Sequence, residues 1–132
     1  KSMVTAVTST FDQVTEGYPY GGVYTPTLTN TTNIDTSTAY LCQYMRVGSV
    51  VTVSGRVDID ATATTTTVLN MSLPIASDVS DSVQVAGTLS GLGGAESGVI
   101  YGDAATDTAT FQYVALGAAN RTFYFHFTYR IR

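Results

Sequence analysis

Among its 132 residues the chain has one cysteine, Cys42, one histidine, His126, and one lysine, Lys1. A single thiol excludes an internal disulfide and leaves the redox compartment open. A single imidazole excludes a multi-histidine metal site within one chain. It also forces any Ser-His-Asp triad to centre on His126, and no G-x-S-x-G elbow accompanies it. Basic residues are sparse: Arg46, Arg56, Arg121, Arg130 and Arg132 are scattered apart from the last two, and the net charge is −4. No phosphate-neutralising surface is expected from such a set, and hence no nucleic-acid partner. No window approaches about eighteen consecutive apolar residues, and Lys1-Ser2-Met3 opens no signal-peptide pattern, so no membrane insertion is expected. Charged residues make up 12% of the chain, against about 25% in an average soluble domain. The surface formers of helices are too few to coat one.

What is plentiful is Thr, Val, Ser, Ala, Gly and Tyr, a mixture suited to pleated, half-buried surfaces. Alternation with period two runs through most of the chain. From Ser49 to Asp60, Val51, Val53, Gly55, Val57 and Ile59 point one way, and Thr52, Ser54, Arg56, Asp58 and Asp60 the other. Ala39 to Val47 sets Tyr40, Cys42 and Tyr44 against Leu41, Gln43 and Met45, and a hairpin at Val47-Gly48 is predicted between the two runs. Further strands are predicted at Val23 to Thr29, Thr66 to Leu73, Val83 to Leu89, Gly98 to Gly102, Thr108 to Leu116 and Arg121 to Ile131. Between them lie turn clusters at Asn30 to Ser37, Ala76 to Ser82, Ser90 to Ser97, Asp103 to Asp107 and Gly117 to Asn120. Pro26, unable to donate to a ladder, demotes its strand to an edge or demands a bulge. The expected fold is all-β: an antiparallel sandwich of about eight strands, a number that favours a jelly roll over an immunoglobulin-like order.

The last strand carries the strongest signal. Phe123, Phe125, Phe127, Tyr129 and Ile131 share one face and are expected to anchor the core. Tyr124, His126, Thr128 and Arg130 share the other, and are expected to meet solvent or a second copy of the chain. A threonine-rich β surface with few charges is an aggregation liability that oligomerisation covers. Residues 1–21, broken by Gly17, Pro19, Gly21 and Gly22, are read as a linker or stem before a domain over 22–132, although Val4 to Thr10 has strand character. The missing initiator Met is read as a fragment of something longer.

Candidate chemistry is thin. Asp58 and Asp60 share a strand face as paired carboxylates do in glycosidases, yet alternation on a solvent face places aspartates two apart by default. Asp103 and Asp107 bracket a loop with oxygen ligands for calcium but without EF-hand spacing, so a plain turn is the simpler reading. Gly91, Gly93 and Gly94 match no dinucleotide fingerprint. Cys42 sits where a small buried hydrophobe fits. Asn30, Asn70 and Asn120 head glycosylation sequons of the kind that arise by chance in a Thr-rich chain. Tyr18, Tyr20 and Tyr24 form an aromatic group that suits core or interface better than a ligand. No catalytic, metal or cofactor site is expected. The loops richest in exposed hydrogen-bonding groups, through Ser90, Glu96 and Ser97 and through Asp103, Thr106 and Asp107, are the expected ligand-binding positions.

Four runs taken together carry a resemblance: Val23 to Thr29, Tyr44 to Gly55, Ser72 to Ala76, and the closing aromatic strand through Phe127-Thr128-Tyr129. In order and spacing, over about residues 22 to 132, they resemble the C-terminal domains of tailed-phage tail fibres and related virion appendage proteins. The resemblance implies a homotrimeric β-sandwich at the tip of an elongated protein on the virion surface. Its partners would be a bacterial surface glycan or outer-membrane protein and other virion proteins, with residues 1–21 leading from a shaft. Three functions of different class follow. The first is a host-recognising fibre tip, the second a purely structural trimerisation or capsid-decorating module, and the third a glycan-degrading enzyme, for which neither a β-helix nor a grooved carboxylate pair is apparent.

Overall fold

Residues 19–93 and 95–132 are described by the structure, a computed structural model; the expected strand at Val4 to Thr10, together with Tyr18 and Gly94, lies outside the described residues. The strands are β1 (Pro19–Tyr24), β2 (Leu28–Thr32), β3 (Ile34–Ala39), β4 (Cys42–Val47), β5 (Val50–Ala61), β6 (Thr66–Ser72), β7 (Val85–Gly91), β8 (Ser97–Asp103), β9 (Thr108–Val114) and β10 (Asn120–Arg130). They form one antiparallel 10-stranded sheet in the order β1-β4-β5-β10-β7-β8-β9-β6-β2, with β3 pairing the second half of β5.

Alternation sorts the side chains as the sequence predicts. In β5, Val51, Val53, Val57 and Ile59 are fully buried while Val50 and Thr52 are exposed. In β10, Phe123, Phe125, Phe127 and Tyr129 are buried, and Tyr124, His126, Thr128 and Arg130 face outward. The sheet is curled into a half-barrel, and the aromatic residues show why. Phe111 on β9 and Phe125 on β10 have ring centroids 4.9 Å apart, and Tyr113 and Phe123 have theirs at 4.5 Å. Two strands, β7 and β8, separate β9 from β10, so a flat sheet would hold those rings about 14 Å apart. Only curling brings them into contact. The two layers expected of a sandwich are thus opposing walls of one sheet, and they share a core of Phe111, Phe123, Phe127, Ile59, Leu69 and Met71.

The curl also brings the two ends of the strand order together. Residues 25–27 carry the chain from β1, at one end, to β2, at the other. The Tyr24 hydroxyl donates to the Ser72 carbonyl at 3.0 Å, the Thr27 amide to Ser72 Oγ at 2.8 Å, and the Ser72 amide to the Thr27 carbonyl at 3.0 Å. Asn33, between β2 and β3, has φ 61, a left-handed value that asparagine tolerates. Its side chain donates to the Ala63 carbonyl and to Thr67 Oγ1, both at 2.8 Å, and accepts from the Ala63 amide at 2.9 Å. One asparagine therefore turns the chain from β2, paired with β6, to β3, paired with β5, and clamps the β5–β6 connection.

Several boundaries differ from expectation. The strand predicted over Val23 to Thr29 is interrupted at Pro26: β1 ends at Tyr24 and β2 starts at Leu28. The turn predicted at Asn30 to Ser37 instead contains the end of β2 and most of β3; the split at Pro26 and the added β3 together raise the count from about eight strands to ten. The domain edge expected after residue 21 falls inside β1. The hairpin at Gly48 stands as predicted, with φ 61 at Gly48 and Val47 paired to Val50. The long connection after β6 sends Val79 into the core. Asp107 pins it by accepting from the amides of Ser77 at 3.3 Å and Val79 at 2.8 Å.

Candidate functional site

The two loops expected to bind a ligand do not form one site. They leave opposite ends of β8, whose seven residues (Ser97–Asp103) span roughly 20 Å. At one end Ser90 and Ser97 face each other across the β7–β8 ladder. Glu96, expected to be exposed, is buried: its Oε2 accepts from the Leu116 amide at 2.7 Å and its Oε1 lies 3.7 Å from Arg121 Nε. That carboxylate latches the β7–β8 loop to the β9–β10 loop. At the other end the Thr106 and Thr108 hydroxyls lie 2.7 Å apart. Asp107 is committed to the backbone of the β6–β7 connection, so it does not converge with Asp103 on a shared cation. Among the described residues no group of three or more His, Cys, Asp or Glu side chains is arranged to hold a metal.

Asp103 does help to build a cleft. Its Oδ1 accepts from the Ala105 amide at 3.0 Å, and its Oδ2 from Asn70 Nδ2 at 2.8 Å. Asn70 and Tyr101 flank Thr110 on the outer face, being its partners on β6 and β8. Ser80, Asp81 and Ser82 form the opposite wall of a cleft of about 460 Å³. The chain pattern marked Asp103 but missed Asn70, Tyr101 and Thr110. Their outward positions look like any solvated strand face until the β6–β7 connection is seen to cover them.

Asp58 does not form a catalytic pair with Asp60 and belongs instead to a cluster with Tyr40 and Arg56. It is 6% exposed although it lies on the outer face of β5. The Tyr40 hydroxyl donates to its Oδ2 at 2.8 Å, Arg56 Nε to its Oδ1 at 3.3 Å, and the Arg56 guanidinium lies 4.2 Å from the Tyr40 ring centre. Burial opposes its ionisation, but hydrogen bonds from Tyr40, Arg56 and Thr122 outweigh burial and hold the carboxyl below its ordinary range. A general acid needs the reverse shift. Asp103 is likewise lowered, first by its hydrogen bond from Asn70. Both groups have folded values depressed relative to the unfolded chain. Their stabilisation is therefore complete above the ordinary carboxylate range and is lost as pH falls through the depressed values, below about pH 4. Denaturant midpoints measured from neutral pH down to about pH 3 should fall for the native chain. They should fall less for Asp58→Asn, which starts from a lower midpoint; an equal fall would remove Asp58 from the acid response.

Cys42 is buried as expected, its Sγ donating to the Tyr40 carbonyl at 3.3 Å, and burial pushes the thiol's pKa up, away from reactive thiolate. Tyr24 packs edge-on against Tyr44 with centroids 6.1 Å apart, as core rather than ligand platform.

The outer face expected to meet a second copy continues beyond β10. Tyr124, His126 and Thr128 lie opposite Arg56, Ser54 and Thr52 of β5, and Arg130 lies opposite Val50. Beyond them are the exposed side chains of Val23 (62%), Leu41 (66%), Met45 (53%), Val47 and Val50 on β1, β4, β5 and the residue before β4. A groove of about 670 Å³ runs among Val23, Met45, Val47 and Val50, and a second, of about 530 Å³, lies between Leu41, Arg56 and Tyr124. β1 closes this side with one ladder edge paired to β4 and no strand of the described residues on its other edge. No protein-family model matches the chain, and no curated protein or solved structure matches it.

Proposed function

We propose that this domain is a non-catalytic virion appendage module that assembles as a homotrimer through the outer face of β1, β4, β5 and β10 and recognises a bacterial surface component. The observation that carries the reading is the concentration of exposed Val23, Leu41, Met45, Val47, Val50 and Tyr124 on one side of the sheet. In water such a patch favours burial against another protein surface. In a chain with 12% charged residues little else on that face repels a second copy. The likeness to tail-fibre C-terminal domains supports a trimer as the stoichiometry and a host surface as the target, and three linked copies multiply a weak contact.

Light scattering on the native chain should give three times the monomer mass. Val23→Glu combined with Met45→Glu should give a folded monomer, because both side chains are exposed in one copy and only association would bury the new charges. A native monomer, or an unchanged mass in the variant, removes the assembly surface. Labelled trimer should bind host cells in preference to non-host cells. Equal binding would favour the purely structural capsid-decorating module.

A further inference from the structure

We infer that the cleft between β6, β8, β9 and the Ser80–Ser82 segment is a binding site for a neutral sugar unit. This rests on the recognition reading above and gives it a location and a ligand class.

The cleft combines the groups that a polyhydroxylated ring requires. Asn70 is only 8% exposed, and its Nδ2 is committed to Asp103 Oδ2 at 2.8 Å and to Thr108 Oγ1 at 3.1 Å. Its Oδ1 has no donor among the described residues and is left as an acceptor. The Asp103 carboxylate is held charged beside it by hydrogen bonds from Asn70, Ala105 and Thr106, and lends the cleft its negative charge. On the facing wall Asp81 Oδ1 takes the Val83 amide and the Ser82 hydroxyl, which leaves Oδ2 as an acceptor, and Ser80 Oγ, which accepts from Arg132 and Gln84, keeps its proton to donate. The Tyr101 ring is fixed by its hydroxyl donating to Gln112 Oε1 at 2.6 Å, and provides an apolar face of the kind on which sugar C–H groups stack.

Thr110 gives the independent sign of a ligand. It is 4% exposed and lines the cleft floor between Asn70 and Tyr101, and its Oγ1 is buried with no hydrogen-bond partner among the described residues. Buried hydroxyls are nearly always paired. The Oγ1 is closed to solvent, so a ligand hydroxyl reaches it once the Asn70 or Tyr101 side chain turns aside, and then supplies the partner that the fold does not.

Charge selects the class. Asp81 and Asp103 line the cleft, and the one guanidinium that reaches its wall, that of Arg132, is held on Ser80 Oγ, so two carboxylates outweigh one cation and uncharged sugars are favoured over phosphate, sulfate and uronic acids. The volume, about 460 Å³, suits one or two sugar rings.

The test is an amide chemical-shift titration of the full chain with glucose, galactose, mannose, rhamnose and N-acetylglucosamine as probes, with glucuronate and inorganic phosphate as anionic controls. At least one neutral probe should give saturable shifts at Asn70, Asp81, Tyr101 and Asp103, and the anions none. Tyr101→Ala should weaken that binding about tenfold or more. Asp81→Ala, on an exposed wall outside the sheet, should weaken it too, should Tyr101→Ala fail to fold, and neither change should alter oligomeric mass. No saturable shift with any neutral probe, equal response to glucuronate, or shifts centred on Met45 and Val50 would overturn the cleft assignment. A native chain that ignores the sugars yet remains trimeric and host-selective sinks this site alone. A chain that binds sugar at the cleft but shows no host preference sinks the appendage reading alone.

Discussion

Phe111→Ala should lower the unfolding free energy by about 4 kcal/mol, as the shift in urea midpoint at unchanged slope would record. Phe111 is fully buried and packs edge-on against both Phe125, at 4.9 Å, and Phe127, at 6.1 Å. It therefore joins the two walls of the curl at the point where they must touch. Deleting the ring loses its transfer free energy and leaves a cavity that two β walls held by ladders cannot easily collapse. Domains of this size are stable by only about 5–15 kcal/mol, so the variant should lie close to its unfolding threshold at room temperature. Tyr124→Ala provides the contrast: also aromatic but half exposed on the other side of the sheet, it should change monomer stability by less than about 0.5 kcal/mol. Equal losses at the two positions would mean that the inward and outward faces of β10 have been misassigned.

Gly87→Val should be more damaging still, because backbone rather than side chain is in the way. A Cβ at Gly87 would come within 2.6 Å of Phe127 Cα across the β7–β10 ladder. Nothing there can rotate aside, so β7 must separate from β10 and give up part of the ladder. Overpacking of a compliant core costs about 1–3 kcal/mol, and a clash with an unyielding strand should exceed that range. The expected outcome is insoluble chain or, if any folds, loss of amide-exchange protection along β7 and β10. Gly93→Ala is the control. Its φ of +108 is unfavourable for alanine, but nothing lies within 4 Å, so the cost should stay near 1 kcal/mol.

Where the chain alternates sharply, its sequence and structure agree. β5 and β10 could be assigned face by face because valine and phenylalanine alternate with Thr, Arg and His on strands with one dry side. The end of β2 and all of β3 escaped because both lie at the seam: four of the five residues in Leu28–Thr32 are exposed. Asn, Thr, Asp and Ser in such a place read as turn chemistry. The split of the expected ligand loops was legible in principle, since Gly98 to Gly102 was predicted as a strand between them, and a strand puts its two flanking loops at opposite ends. What no local pattern reveals is that the connection after β6 folds back over Asn70 and Thr110, or that Tyr40 reaches Asp58 from the β3–β4 connection. Those depend on which strands become neighbours, and alternation says nothing of strand order.

β10, the last strand of this sheet in chain order, is inserted between β5 and β7 near the middle of the sheet. While this domain is being translated, β5 and β7 have no mutual partner to hold them, and the aromatic ridge that would join them has not yet emerged. The facing edges of β5 and β7 therefore stay unpaired until the closing segment arrives, so the sheet completes late.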